Sequence, residues 1–543
     1  MRLSSSAAGF YKVGMNRQVA SSRQKKATQA KSRQAELAKA RARERNAKLK
    51  LSNTLTARAE TMMESGDIDG ATNNFREAIK INPKNNNAKL GLSQALTAKG
   101  IEVAGDELND DSTVYFNEAV TLDARNDVAF AKLGEVHDAR GRTAEAIVNY
   151  EKALAIDPTF SSLYLPLGKA YAGQNDNAKA EEYLNKAAAV DSESAKAARL
   201  ILAGIYGKQN KVDEALATLD AVIKEDPDNS AAYAMKGDVY MATNDESNAI
   251  ASYRKAIEFD PNSADPHYDL GVIYYNKGDY ANAEASYKEA VRIEPANYQA
   301  QANLASTYRQ MERYAEANAN YKQAEPGNTK NADFYSEWGF CLGKTNEWEK
   351  AVARLETART LNPDAIDEAN MGWAYYNRGL ALKNEKKDDE AAEQFALSKK
   401  SSQRAVELDP KLDGAYLNLG AANNSTGDYE AAKLALETAL SRRSEWVPAL
   451  NQLGQTHLGL KDAAAAVAQF NRVLNIDGNN VMGLYGLGTA EYSRGNKKEA
   501  KKAQERLKKI DPKMAEQLGN VIAGKAIDAG INEIKRRIRI PGF

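Results

Sequence analysis

A spacing of 34 residues, repeated along most of this 543-residue chain, constrains its fold more than any other feature. The clearest copy, residues 264–297, places small, aromatic and proline residues at set intervals: Leu270, Gly271, Tyr274, Gly278, Tyr280, Ala283, Tyr287, Ala290 and Pro295. Copies in the same register begin at residues 52, 86, 127, 161, 196, 230, 264, 298, 332, 372, 413, 447 and 481. A repeat of this length indicates a solenoid, in which each unit covers the apolar face of its neighbour.

Each copy has the pattern of a helical hairpin. Two stretches with apolar residues at helical spacing are separated by a Gly or Asn-Asp turn. Small residues such as Gly271 and Ala283 would let the two helices approach closely, and Tyr274 and Tyr287 would fill the space between them. Pro295 cannot lie inside a helix and therefore marks the end of the copy.

With about 13 copies in one frame, the sequence resembles the tetratricopeptide repeat family, and the resemblance covers residues 52–514, about 85% of the chain. It implies an all-α fold, an α-solenoid in which the hairpins form a right-handed superhelix. It also implies that the first helix of each hairpin lines a concave surface. We therefore expect high helix content and no β-sheet.

The repeat frame divides the chain into three parts. Residues 1–51 form a basic N-terminal arm rich in Ala, Lys, Arg and Gln, residues 52–514 form the solenoid, and residues 515–543 form a capping helix with a basic tail. The copies at 86–126 and 372–412 each carry seven extra residues, which is almost two helical turns, so their helices are expected to be longer. The early end of the eighth copy predicts an irregular junction near residues 325–331.

The composition offers little for catalysis. His137 and His457 occupy the aromatic position of the repeat, His267 occupies another large-residue position, and Cys341 lies where a small buried residue is expected. No stretch outside the repeats has the ~100 residues of a separate catalytic domain. We therefore expect no enzyme activity, no cofactor, no bound metal and no small-molecule substrate.

The resemblance also suggests where partners bind. Lysine never stands at the first-helix position where relatives place the lysines of a carboxylate clamp, so we do not expect that mode of binding. Side chains at spacings of three and four predict a surface for a peptide or an amphipathic helix on the concave face. The candidates are Tyr268, Val272, Tyr275, Phe340, Asn303, Asn418, Tyr485 and Tyr492. The alternative is that these aromatic residues pack in the core, as many of the 26 tyrosines must.

The net charge of zero hides a strong asymmetry. Residues 1–50 carry a net charge of +12 and residues 525–543 carry +3, whereas residues 51–524 carry −15. The arm is therefore expected to bind an acidic partner, which could be another copy of the chain, a nucleic acid or an anionic membrane. Its candidate residues are Arg23, Lys25, Lys26, Lys31, Arg33, Arg41, Arg43 and Arg45. A solvated tail and an organellar targeting segment are the alternatives.

Together these features predict a non-catalytic scaffold that organises other proteins in a larger assembly. The alternative is an adaptor that the arm tethers to nucleic acid or to an anionic membrane surface. No stretch approaches the ~18 apolar residues of a membrane span, and the first residues lack the apolar core of a secretory signal. We therefore expect an intracellular, cytoplasmic protein, with organellar import or peripheral membrane association as alternatives.

Overall fold

A computed structural model describes residues 6–105, 109–524, 533, 537 and 540–542, with side chains from Ala20 onward. This part of the chain contains 27 α-helices and no β-strand. Consecutive helices pack against each other as hairpins between residues 6 and 225 and again between residues 264 and 508. The prediction of an all-α fold built from tandem helical hairpins is confirmed.

The chain divides into two compact units, Met1–Asp245 and Glu246–Phe543. The first unit contains α1 (Ser6–Glu64), α2 (Ile68–Ile81), α3 (Asn86–Ala104), α4 (Ser112–Leu122), α5 (Asp127–Ala139), α6 (Thr143–Ile156), α7 (Tyr164–Gly173), α8 (Asn177–Ala187), α9 (Ser192–Lys208), α10 (Val212–Glu225) and α11 (Ser230–Ala242). A short 3-10 helix, Ser161–Leu163, precedes α7.

The second unit contains α12 (Glu246–Phe259), α13 (Ala264–Asn276), α14 (Tyr280–Ile293), α15 (Tyr298–Gln310), α16 (Tyr314–Ala324), α17 (Ala332–Lys344), α18 (Trp348–Leu361), α19 (Ala365–Asn384), α20 (Asp388–Leu408), α21 (Asp413–Thr426), α22 (Tyr429–Arg442), α23 (Val447–Gly459), α24 (Ala463–Ile476), α25 (Val481–Ser493), α26 (Lys497–Lys508) and α27 (Pro512–Ile522). The odd-numbered helices from α13 to α25 are the first helices of their hairpins, and each contacts the next one. The surface that these helices form together is called the first-helix face below.

One backbone conformation recurs at the hairpin turns. Gly278, between α13 and α14, has a φ angle of +74°, in the left-handed region that glycine adopts without steric cost. Asn346 takes the same conformation between α17 and α18, and asparagine tolerates it better than most residues. Glu312, Lys386 and Lys461 adopt it as well, although neither residue type favours it. The hairpin geometry therefore overrides local preference at these three turns.

Glycines of the first helices lie directly against large side chains of the second helices. A Cβ atom on Gly271 would lie 2.6 Å from the ring of Tyr287, which is fully buried between α13 and α14. In the same way, a Cβ atom on Gly454 would lie 2.7 Å from the ring of Phe470. Small and aromatic residues of the repeat therefore interlock, which is how the helices of one hairpin reach van der Waals contact.

Several helices depart from the regular length. The second helix of the tenth copy, α20, has 21 residues, whereas α18 and α22 each have 14. Its partner α19 has 20 residues because the extra residues before the tenth copy continue that helix. Between α16 and α17 the chain forms a 3-10 turn at Glu325–Gly327, where Gly327 packs on the side chain of Tyr298.

The first helix combines the arm and the first hairpin in one element. Helix α1 has 59 residues, and its side chains from Ala20 to Leu51 are all exposed. The first buried side chain is Ser52, whose hydroxyl donates a hydrogen bond to the carbonyl of Ala78 at 2.8 Å. Packing on α2 and α3 thus begins one residue after the arm.

Candidate functional site

The first-helix face is open over α13 and α15. Tyr268, Val272 and Tyr275 of α13 are half-buried, so each shows part of its side chain to solvent. The amide of Asn303 on α15 donates hydrogen bonds to the hydroxyls of Tyr268 at 3.2 Å and Tyr287 at 3.4 Å. These contacts bring four of the predicted residues together in one patch, which we call the tyrosine patch: Tyr268, Val272, Tyr275 and Asn303.

Hydrogen bonds fix both tyrosines of this patch. Gln310 donates from its amide to the hydroxyl of Tyr275 at 3.3 Å, and the Tyr275 ring contacts the ring of Tyr280 edge-on at 5.6 Å. Burial raises the pKa of Tyr268 above its usual value, so its hydroxyl stays protonated at neutral pH. The patch therefore presents oriented rings with hydroxyl groups at their edges.

An ion pair lies beside the tyrosine patch. Arg309 of α15 and Glu337 of α17 form a salt bridge at 2.8 Å. Glu337 also accepts hydrogen bonds from the hydroxyls of Ser306 and Tyr321, both at 2.7 Å. Because the carboxylate is satisfied by three donors, it stabilises the packing of α15 on α17.

Phe340 lies with a separate group of aromatic residues. Its ring is 5.8 Å from the ring of Trp373 on α19, and Trp373 is in turn 5.5 Å from Trp348 in an edge-on contact. Phe340 also contacts Tyr314 at 6.1 Å. We call the group of Phe340, Trp348 and Trp373 the indole site.

From α19 to α23 the first-helix face is closed. Nearly every side chain from Asp367 to Asn377 and from Ala449 to Leu458 is buried, including polar ones. Asn418 of α21 is fully buried, and its amide donates to the carbonyl of Ala369 on α19 at 2.8 Å. Neighbouring first helices are joined here by hydrogen bonds such as this one. The amide of Asn418 is therefore engaged in helix packing, and Asn418 lies away from the tyrosine patch.

Tyr485 and Tyr492 lie on α25, also away from the tyrosine patch. Tyr485 is 1% exposed, and this burial raises its pKa to about 12, with Glu533 and Arg537 close enough to add opposing effects. Tyr492 is half-buried and has the ammonium of Lys497 over its ring at 5.8 Å. Neither ring shares a surface with Tyr268.

A contact that sequence reasoning missed involves residues 540–542. Ile540 is 3% exposed in the same apolar cluster as Trp373, and its carbonyl accepts a hydrogen bond from the indole nitrogen of Trp373 at 2.9 Å. Gly542 packs against the same indole ring. The Ile-Pro-Gly triplet is visible in the sequence, but nothing in it indicates a contact with a residue 167 positions away.

The predicted arm residues are spread along α1. The eight candidate arginines and lysines, the first of them Arg23 and the last Arg45, are all exposed. Among them lies Glu44, which pairs with Lys48 one turn further on at 2.8 Å. The arm thus presents positive charge on every side of a single helix.

The residues most suited to catalysis lie in packing positions. Cys341 is fully buried, and burial raises the pKa of its thiol to about 12, so it stays protonated. Burial lowers the pKa values of His137, His267 and His457, which keeps their imidazoles neutral at pH 7. Within the described ranges, His, Cys, Asp and Glu side chains form no group of three that could hold a metal ion.

Among the described helices, none combines the length and the apolar character that a membrane span needs.

Comparisons with known proteins identify the repeat. Profiles described as TPR repeat match residues 139–175 and 237–278, and a profile described as YpiA-like, C-terminal tetratricopeptide repeats matches residues 299–365. Profiles described as tetratricopeptide repeat match residues 161–194, 186–239, 264–297, 413–445 and 447–480. Together these matches extend over more than half of the chain.

Three solved structures are among those similar to this chain. The APC/C hetero-tetramer Cut9–Hcn1 is 14% identical with a TM-score of 0.38, covering 87% of this chain and 96% of that chain. YrrB, a TPR protein with an unusual peptide-binding site, is 20% identical with a TM-score of 0.30, covering 36% and 95%. A tetratricopeptide repeat protein from Parabacteroides merdae is 20% identical with a TM-score of 0.36, covering 48% and 98%. On the match of its repeats, the chain belongs to the tetratricopeptide repeat family.

Proposed function

We propose that the chain is a non-catalytic scaffold that organises a larger protein assembly by binding a peptide or an amphipathic helix at the tyrosine patch. Tandem tetratricopeptide repeats form protein-interaction scaffolds, and this chain is one in that general sense. The observation that carries the finer proposal is the pair of half-exposed tyrosines held by amides, Tyr268 by Asn303 and Tyr275 by Gln310.

Held aromatic rings suit the binding of another protein. Tyrosine supplies a large contact area with few rotatable bonds, and rings that are already oriented lose little further entropy when a partner binds. The hydroxyls at the ring edges can exchange hydrogen bonds with a peptide backbone or with polar side chains of a helix. Val272 lies on the same helix and adds an apolar surface between the two rings.

Replacing both Tyr268 and Tyr275 with alanine should remove partners from the purified protein. Because both side chains are only half-buried, we expect loss of co-purifying proteins by at least about tenfold, with the helical signal nearly unchanged. The measurement is affinity purification with quantitative mass spectrometry, together with circular dichroism. Phe259→Ala and Leu434→Ala, at exposed positions of second helices, serve as the matched control.

Two results would contradict the proposal. An unchanged set of partners would show that binding occurs elsewhere on the chain. A large loss of helical signal would show that Tyr268 and Tyr275 are needed for folding, which is the alternative reading of these aromatic residues.

The second candidate function is an adaptor that the arm, residues 1–51, tethers to an acidic surface. The observation that favours it is the continuous exposed helix from Ala20 to Leu51, with basic residues on every side. Between Val19 and Leu37 the helix has no large apolar residue, so it lacks the apolar stripe of a helix that inserts into lipid. Nucleic acid, an anionic membrane surface and an acidic protein, including another copy, are the three classes of partner that fit.

Binding through the arm should weaken steeply with salt. For six phosphate contacts, counterion release predicts a loss of about 300-fold in affinity for single-stranded RNA between 50 and 200 mM salt. Fluorescence anisotropy would measure it, with vesicles containing phosphatidylserine and a second copy of the protein as parallel probes. The charge variant carries glutamine at Lys25, Lys26, Arg41, Arg43 and Arg45.

The control variant removes five exposed charges from the repeats instead: glutamine at Lys322, Lys330, Lys350, Lys400 and Lys411. We expect the arm variant to lose binding and the control to retain it. Affinity that does not depend on salt would show that charge is not the basis of arm binding.

A further inference from the structure

The indole site holds residues 540–542 of the chain. Three structural features define how residues 540–542 lie there, and each one selects a residue type. The side chain of Ile540 is buried at 3% exposure, in the cluster that includes Trp373, Tyr376 and Leu380. This position therefore selects a branched aliphatic residue rather than a polar or charged one.

The second position, next to the hydrogen bond of the site, suits proline. Trp373 donates from its indole nitrogen to the carbonyl of Ile540 at 2.9 Å, and the indole is itself 3% exposed. The peptide bond that follows belongs to Pro541, which has no N–H group. Pro541 is half-buried, so a residue with an N–H group at this position would need a hydrogen-bond partner for it, whereas proline needs none.

The third position selects glycine by its size. A Cβ atom on Gly542 would lie 2.9 Å from three ring atoms of Trp373, closer than side-chain atoms normally approach. On α17, Gly343 also packs against this indole, where a Cβ atom would lie 2.4 Å from the ring. Trp373 is therefore held in place by neighbours and cannot easily move to accept a larger residue.

The contact made by residues 540–542 leaves space beside it. A cavity of about 570 Å³ lies next to the site and is lined by residues of α18, α19 and α25 and by Glu533 and Arg537: Trp348, Asn377, Leu380, Ala381, Asn384, Val481, Met482, Glu533 and Arg537. Its lining combines apolar side chains with amides, which suits a peptide that continues beyond the triplet. Three residues and one hydrogen bond form a small contact that a larger ligand can displace.

We propose that the indole site binds an extended segment of a partner protein carrying a branched aliphatic residue followed by Pro-Gly, and that residues 540–542 occupy it as an intramolecular ligand. This inference rests on the proposed scaffold function and adds a second binding site with its own sequence preference. Covalent linkage raises the effective concentration of residues 540–542 at the site, which keeps a weak contact formed. A partner segment has to compete with it, and gains by filling the cavity as well.

The test uses the full chain and a fluorescent peptide of residues 533–543. In one variant, Ile540→Asp, a charge at the buried position releases the intramolecular ligand. We expect this variant to bind the peptide about tenfold more tightly than the unsubstituted chain, because it no longer has the competitor. A peptide with valine in place of glycine at the position of Gly542 should fail to bind, and one with valine in place of Ile540 should still bind.

A matched pair of tryptophan variants tests the hydrogen bond. In the Ile540→Asp background, Trp373→Phe should weaken peptide binding about tenfold, since the carbonyl before proline loses its donor. The control is Trp338→Phe in the same background. Trp338 is also buried in the second unit, but its indole nitrogen has no hydrogen-bond partner within the described part of the chain.

Equal affinity of the unsubstituted and Ile540→Asp chains would show that residues 540–542 are not a competitor. Unchanged binding by Trp373→Phe would show that the peptide binds elsewhere.

If Ile540→Asp fails to fold, Gly542→Val releases the same contact with a smaller change. A dimer that disappears in either variant would identify a second copy as the occupant and overturn the assignment to a different protein. Because the titration needs no cellular partner, its failure is distinct from failure of the Tyr268 and Tyr275 test.

Discussion

Replacing Phe470 with alanine is expected to lower the free energy of unfolding by about 3–5 kcal/mol. Phe470 lies on α24 and is fully buried. Its ring fills the space left by two glycines, Gly454 on α23 and Gly486 on α25, where Cβ atoms would lie 2.7 and 2.4 Å from it. Helices that approach over glycine cannot close the cavity further, so the loss is expected at the upper end for such changes.

Urea denaturation monitored by circular dichroism would measure this loss, and hydrogen exchange would locate it. Repeats contact mainly their neighbours, so the amides of α23 to α26 should exchange faster while those of α13 to α16 keep their protection. Leu434→Ala, at a side chain that is 70% exposed, is the control and should change stability by less than about 0.5 kcal/mol. A uniform loss of protection across the second unit would contradict local, repeat-wise stability.

Replacing Asp367 with asparagine is expected to stabilise the protein at pH 7 by about 2–3 kcal/mol. Asp367 lies on α19, is 4% exposed and accepts a hydrogen bond from the hydroxyl of Ser336 on α17. Burial raises its pKa to about 6, and the charges of Asp364, Asp333 and Glu368 act in the same direction. Asparagine can accept the same hydrogen bond without a buried charge.

The sign of this effect depends on pH. The unfolded chain has an ordinary aspartate pKa near 3.9, so between about pH 4 and pH 6 the folded state binds more protons than the unfolded state. The stability of the unsubstituted protein should therefore fall as pH rises through that window, and the advantage of Asp367→Asn should largely vanish at pH 4. Denaturation midpoints at pH 4, 5, 6 and 7 test this. The control is Asp389→Asn, at an exposed position of α20, which keeps Asp367 and should therefore retain the pH dependence of the unsubstituted protein.

Much of the fold follows from local patterns in the sequence. The spacing of Gly271 and Tyr287 predicts a close helical pair, and the structure places a Cβ position of Gly271 2.6 Å from that ring. The Gly and Asn residues near the middle of most copies predict the turns, and Gly278 and Asn346 take the left-handed conformation there. Such contacts can be predicted because the two residues that make them lie within one 34-residue copy.

The site was less predictable because it depends on how hairpins pack against each other. Asn303 and Asn418 occupy the same position of the repeat, yet Asn303 reaches Tyr268 on a half-open surface and Asn418 is fully buried against Ala369. The difference comes from the closeness of neighbouring first helices, which no single copy encodes. The contact of Ile540 with Trp373 has the same cause, since it joins residues far apart in the sequence.

The continuity of α1 determines what kind of mechanical element the arm is. A disordered tether of 50 residues would explore a sphere around its attachment point, and its reach would be set by chain entropy. A helix from Ser6 to the first hairpin is instead a rod of about 70 Å, at ~1.5 Å per residue. The direction of this helix is fixed where the hydroxyl of Ser52 donates a hydrogen bond to α2. A partner bound to the arm is therefore held at a defined orientation as well as a defined distance from the first hairpin. A force on the arm is transmitted to that hairpin as torque.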